Sequence, residues 1–134
     1  MNRFCLHCDD GAVLKHGVCD LVFSYRDHSL TVPKVSGWHC LVCGECEFDE
    51  GEGKRYSDAV DAFCAEVDGK IAESVRSIRK KLGLKQADAG RLFGGGVSAF
   101  SEYECGKTQP HKSTVLLLKL LDKHPELLRE LTTS

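Results

Sequence analysis

Two short cysteine pairs, Cys5-Leu6-His7-Cys8 and Cys40-Leu41-Val42-Cys43, carry the most specific chemistry in the chain. Each Cys-x-x-Cys wraps two thiolates around one edge of a metal ion, and two such pairs complete a tetrahedral shell of four sulfurs. Zn²⁺ accepts that shell readily and has no redox chemistry of its own. Four protein thiolates leave no coordination position for water. Cys5, Cys8, Cys40 and Cys43 therefore point to one structural zinc ion per chain, not a catalytic one. Its binding energy would be the folding energy of a segment with few large apolar residues. Cys46 makes Cys43-Gly44-Glu45-Cys46 a competing pair, and Cys19, His7 and His39 are spare ligands nearby. Cys40 and Cys43 are preferred because they follow directly on the strand end Gly37-Trp38-His39. A thioredoxin-like use of Cys-x-x-Cys needs a βαβ context, and none is visible.

A second patterned stretch runs from Phe93 to Gly106 and closes with Lys107-Thr108-Gln109-Pro110-His111. A glycine turn opens a short helix whose apolar residues, Val97, Phe100 and Tyr103, fall on one inner face. Ser98, Ser101 and Glu102 fall on the opposite face. This is the pattern of the second helix of a helix-turn-helix, the element that enters the DNA major groove. Phosphate contacts would come from Gln86 at the start of the preceding helix, and from Lys107, Thr108, Gln109 and His111 after the reading helix.

The elements that must position these residues form an α+β chain. Residues 18–25 and 29–35 read as strands around a turn at Arg26-Asp27-His28. An acidic, glycine-containing loop over 45–53 precedes a helix with Ser57 as N-cap and Asp58 near its positive end. Val60, Phe63, Cys64, Val67 and Ile71 recur along it at helical spacing. Asp68-Gly69-Lys70 marks the boundary between domains 1–68 and 69–134, as a short linker or as a weak point in one long helix. Beyond it, Val75, Ile78 and Leu82 bury one face of a helix that Arg76, Arg79, Lys80 and Lys81 make basic, and Gly83 ends it. Residues 84–93 form the next helix, with Lys85 where a capping side chain is expected. The helix over 113–123 carries Val115, Leu116, Leu117, Leu118, Leu120 and Leu121, so it must be covered on more than one side. A homodimer through Leu116, Leu117, Leu120 and Leu121 would supply that cover, as would complete burial inside the domain.

The net charge of −2 over 134 residues conceals a division. Residues 1–68 hold 6 Lys/Arg against 13 Asp/Glu, a net of −7, and residues 69–134 hold 12 against 7, a net of +5. The basic half suits a phosphate backbone, while the acidic half suits a basic protein. No run of about 18 uninterrupted apolar residues is present, which excludes a transmembrane helix. The N-terminus lacks the apolar run of a signal peptide, so the expected location is the cytoplasm, where eight cysteines serve metal binding and not disulfides. No Ser/His/Asp set, open metal site or paired carboxylates point to an enzyme.

Together the two halves resemble the MqsA (YgiT-type) antitoxins of bacterial type II toxin–antitoxin modules. The resemblance rests on the paired Cys-x-x-Cys motifs, on the Phe93–Gly106 core and Gln109-Pro110-His111, and on Leu121-Asp122-Lys123-His124-Pro125-Glu126-Leu127-Leu128. It implies a small N-terminal zinc-binding β/α domain that neutralises a basic ribonuclease toxin. An all-α Xre/Cro-like helix-turn-helix domain would dimerise and repress the chain's own operon at a palindromic operator. Cys5, Cys8, Cys40 and Cys43 match the family's ligand positions. The family reads bases with an Asn and an Arg where Ser98 and Glu102 stand, and Cys105 replaces a position that is often basic. These departures imply an altered operator, weaker binding or lost recognition. The remaining alternative is a stand-alone zinc-containing helix-turn-helix regulator without a toxin.

Overall fold

A two-residue turn folds the cysteine-rich half into one long hairpin. In the computed structural model, which describes residues 3–8 and 11–133, Arg26 and Asp27 both adopt left-handed backbone, at φ 49° and 66°. Turns of that hand match the natural twist of the flanking strands. The strands are β2 (Val13–Tyr25), which starts earlier than the sequence pattern predicts and ends where it predicts, and β3 (His28–Cys40), which is longer at both ends. Short edge strands β1 (Arg3–Phe4) and β4 (Cys46–Phe48) complete an antiparallel sheet in the order β1-β2-β3-β4.

The hairpin changes phase once. Cys19 pairs with Val35 but Leu21 pairs with Val32, so Pro33 and Lys34 together oppose Asp20. This is a β-bulge, with Lys34 at φ 52° and its backbone N–H donating to Asp20 Oδ1 at 2.9 Å. Val32 and Val35, three residues apart, would face opposite sides of a regular strand. The bulge puts both on one side, and both are buried. Helix α1 (Glu52–Lys81) begins beside them. Arg55 donates to the Pro33 and Lys34 carbonyls at 3.1 and 3.0 Å, and Glu52 accepts from the Ser36 N–H at 2.8 Å. Phe23 and Phe63 pack edge to face at 6.3 Å.

Helix α1 starts five residues before the expected cap at Ser57, which is exposed within the helix. The turn Asp49-Glu50-Gly51 starts it, with Gly51 at φ 82° and the Glu52 N–H bonded to the Asp49 carbonyl. The stretch Asp68-Gly69-Lys70 lies inside this helix, and no loop interrupts it. The chain divides into two compact units, Met1–Cys64 and Ala65–Ser134.

In the second unit, α1 ends in a Schellman turn. Gly83 sits at φ 72°, with the Gly83 and Leu84 N–H groups bonded to the Lys80 and Arg79 carbonyls. Helices α2 (Gln86–Phe93), α3 (Ala99–Cys105) and α4 (Lys112–Lys123) follow, then a 3₁₀ turn (Pro125–Leu127) and α5 (Leu128–Thr133). Val75, Ile78, Ala89, Ala99, Phe100 and Leu118 form the core. Gly90 packs against the turn before α3, where any Cβ would run into the Gly96 carbonyl. Val97, expected on the inner face, is 54% exposed because it belongs to that turn, and Ala99 takes its place in the core. Among the described residues, no helix is long and apolar enough to cross a membrane.

A four-cysteine cluster and a helix-turn-helix

Two tight turns bring the cysteine pairs together. In the first, Cys5 leaves β1 and its N–H donates to the Ala12 carbonyl at 2.7 Å. In the second, at the end of β3, the Cys40 N–H donates to the Glu45 carbonyl at 2.8 Å and its carbonyl accepts from Gly44 at 3.0 Å. The sulfurs of Cys5, Cys8, Cys40 and Cys43 all lie within 4.8 Å of one another, with Cys5–Cys43 and Cys8–Cys40 each at 3.5 Å. A tetrahedral ion with metal–sulfur bonds of about 2.3 Å requires sulfur–sulfur edges of about 3.8 Å, so the cluster has the size such an ion needs. Cys5 and Cys40 are buried, with Leu14 beside them and Ala12, Cys8 and Trp38 packed around.

The electrostatics of the four thiols also favour a cation. The Cys43 and Val42 N–H groups aim at the Cys40 sulfur and draw its thiol down to about 6. Cys8 is pushed up instead, because its proton is shared with Cys43 and Cys40. A divalent cation balances this crowding by taking all four sulfurs as thiolates.

The other sulfur and imidazole groups lie outside this cluster. Cys46 sits on β4 opposite His39, its sulfur 4.0 Å from Nε2, and burial followed by the charge of Asp49 pushes its thiol up. Buried His39 uses Nε2 to donate to the Val35 carbonyl at 3.0 Å. Exposed His7 lies 3.9 Å from Glu45, and Cys19 pairs with Val35 in the middle of the hairpin.

In the second unit, α2 and α3 are joined by the glycine turn, and the residues expected to meet DNA lie at the start of α2, in the first turn of α3 and in the stretch that leads to α4. Ser98 and Ser101 are exposed, at the start and in the first turn of α3. Glu102 is half-buried, its carboxylate 3.9 Å from Lys107 Nζ. Its backbone carbonyl accepts from the Lys107 and Thr108 N–H groups at 2.9 and 3.4 Å, which fixes the turn after the helix. Lys107, Thr108 and His111 are exposed and Gln109 is half-buried, with His111 at the N-cap of α4. Gln86 opens α2 and donates to Glu104 at 3.3 Å.

Sequence reasoning missed the bond that orients α3. Arg79, expected on a basic surface, forms a two-armed pair with Glu104 at 2.9 and 3.0 Å, with side chains only 11% and 6% exposed. Arg79 also donates to the Leu84 carbonyl at 2.8 Å. The partners are 25 residues apart, so no local spacing signals the pair.

The four leucines proposed for a dimer divide differently. Leu121 is 1% exposed and belongs to its own unit's interior, as does Leu118. Leu116 and Leu120 are 53% and 49% exposed, and Leu117 is half-buried. The outward face of α4 is therefore narrower than expected.

With this geometry in hand, comparison with known proteins is specific. Antitoxin MqsA of Escherichia coli (strain K12) is 40% identical over 129 residues, covering 95% of this chain and 98% of that protein. The solved N-terminal domain of E. coli MqsA matches 48% of this chain and 96% of its own, at 23% identity and a TM-score of 0.42. The family model for MqsA, the antitoxin component of a bacterial toxin–antitoxin system, matches residues 3–132. A chain that joins a four-cysteine sheet unit to a helix-turn-helix unit, and that matches this family over nearly its whole length, belongs to the MqsA antitoxin family.

Proposed function

We propose that this chain neutralises a basic ribonuclease toxin through its cysteine-rich domain and represses its own operon through its helix-turn-helix domain. The observation that carries the reading is one chain holding both a four-thiol cluster and a helix-turn-helix, inside a family match over residues 3–132. The metal is zinc, held by Cys5, Cys8, Cys40 and Cys43, because four thiolates close the shell to water and select a soft, redox-inert ion. It fixes structure, and the chain is a binding protein of the cytoplasm, not an enzyme. The functional domains are 1–68 and 69–134, consistent with the change in charge sign between them.

One sheet edge supports a protein partner. β1 pairs with β2 only at Val13 and Leu14, so among the described residues β2 has an open edge from Lys15 to Ser24. The corresponding edge of β3 is occupied by β4, Glu52 and Arg55. Open edges invite strand pairing, and exposed Val18 and Val22 add apolar surface beside this one.

In the second domain, Ser98, Ser101 and Glu102 face the major groove. Gln86, Lys107, Thr108, Gln109 and His111 hold the backbone, and two copies meet through Leu116, Leu117 and Leu120. The deciding experiment is co-purification with the product of the adjacent gene, followed by binding of the complex to DNA upstream of the pair. A captured ribonuclease and a shifted DNA fragment are the expected results, with a dimer by sedimentation. DNA binding without a captured toxin would replace the reading with a stand-alone regulator.

A further inference from the structure

We propose that Arg76 on α1, outside the two helices of the reading motif, grips a DNA phosphate beside α3. The inference rests on the DNA-binding reading above and adds a contact to it.

Helix α3, with the sequence Ala-Phe-Ser-Glu-Tyr-Glu-Cys, contains no lysine or arginine. Its own charges are Glu102 and Glu104, and a helix that carries only carboxylates into a groove walled by phosphates needs cations from elsewhere. An open hollow of about 300 Å³ lies along its flank, lined by Arg76, Arg79, Gln86, Ser101, Glu104 and Cys105. Ser101 and Gln86 are the residues proposed above for a base edge and a phosphate, so on that reading the hollow lies on the DNA side of the motif.

The two guanidiniums of this hollow differ in what they have left to give. Arg79 is consumed by Glu104 and the Leu84 carbonyl and is only 11% exposed. Glu104 is consumed in turn by Arg79 and Gln86 and is 6% exposed. Arg76 is exposed, and no carboxylate lies within 4.0 Å of it among the described residues. The buried pair thus removes Glu104, the one acid lining this hollow, from competition and leaves Arg76 beside Ser101 with its guanidinium outside the pair. A guanidinium in that position suits a phosphate, whose paired oxygens match its fork of N–H donors.

The test measures affinity against salt for wild type, Arg76→Gln, Arg76→Lys and Arg129→Gln. The probe is a duplex covering the DNA upstream of the chain's own gene. Arg129 is an exposed arginine on α5 and controls for loss of one positive charge. Each neutralised phosphate contributes about 0.9 to the slope of log affinity against log salt. Arg76→Gln is expected to lower the slope by about one and to weaken binding roughly tenfold at 100 mM salt, with an unchanged melting temperature. Arg76→Lys is expected to keep the slope, and Arg129→Gln to keep both slope and affinity. Wild-type binding with an unchanged slope in Arg76→Gln overturns the contact and leaves the DNA-binding reading intact. Absence of wild-type binding at any salt overturns that reading and the contact together.

Discussion

Arg79 and Glu104 join α1 to α3 through two parallel N–H···O bonds of 2.9 and 3.0 Å, almost fully removed from solvent. Breaking such a pair from one side strands the other charge, which typically costs about 3–5 kcal/mol, whereas replacing both partners with apolar groups is often neutral. Glu104→Ala should therefore lower the denaturation midpoint of the helical unit sharply, and Arg79→Met with Glu104→Leu should recover most of it. A single variant as stable as wild type would show that the pair does not hold α3.

Loss of metal should act on one unit only. Purified protein is expected to carry about one zinc per chain, and chelation or Cys40→Ser should abolish the sheet signal in circular dichroism while the helical signal persists. Cys46→Ser should retain the metal, because its sulfur is engaged with His39 and lies outside the cluster. Metal content halved by Cys46→Ser would redraw the shell.

Glu102 faces two opposing demands, since a carboxylate can accept from a cytosine amino group but is repelled by phosphates. Glu102→Arg should tighten overall DNA binding and steepen its salt dependence while changing the preferred sequence. If neither affinity nor slope moves, the side chain does not face the groove.

Acid should loosen the join between sheet and α1. The Ser36 hydroxyl and then His16 hold the Asp49 carboxyl below its ordinary value of 3.8, and Arg55 does the same for Glu52 below 4.5. A depressed carboxylate stabilises the fold fully above its unfolded pKa, and that contribution is lost as pH falls through the folded value. Asp49→Asn should therefore be less stable than wild type at about pH 6, with the difference shrinking toward about pH 3. Comparing the two proteins at each pH cancels the acid sensitivity of the thiolate cluster. A gap that stays constant across this range would assign the effect to shape and not to charge.

Toxin capture should depend on the open edge of β2. Val22 is 67% exposed and, among the described residues, paired only toward β3, so Val22→Lys should change stability by no more than about 0.5 kcal/mol. Capture of the adjacent gene product is expected to weaken at least tenfold. Unchanged capture would place the toxin on another face.

Local signals made much of this molecule readable. The Cys-x-x-Cys pairs and the periodic leucines declare themselves within a few residues, and the glycine run before α3 marks its turn. Features that depend on distant partners did not. Pro33 and Lys34 read as the end of a strand, yet with Asp20 and Arg55 they form a bulge inside one. Ser57 has the chemistry of a cap, but Gly51 and Asp49 start the helix before it. Leu121 looks like its neighbours in sequence, and only the packing of the domain separates it from Leu120.

The extra residue at Pro33-Lys34 works as a phase corrector between two stretches of one strand. Toward Cys40 the strand keeps step with the thiol cluster, while toward His28 it keeps step with the hairpin tip. Inserting one residue beside Asp20 would give the extra residue a partner, straighten the ladder and reverse the sidedness of everything from Val32 to the tip without touching a single cysteine. Such a chain could still gather a metal ion while presenting the wrong face of its hairpin to a partner. Metal loading and partner binding are thus separable properties of the same sheet, divided at one residue.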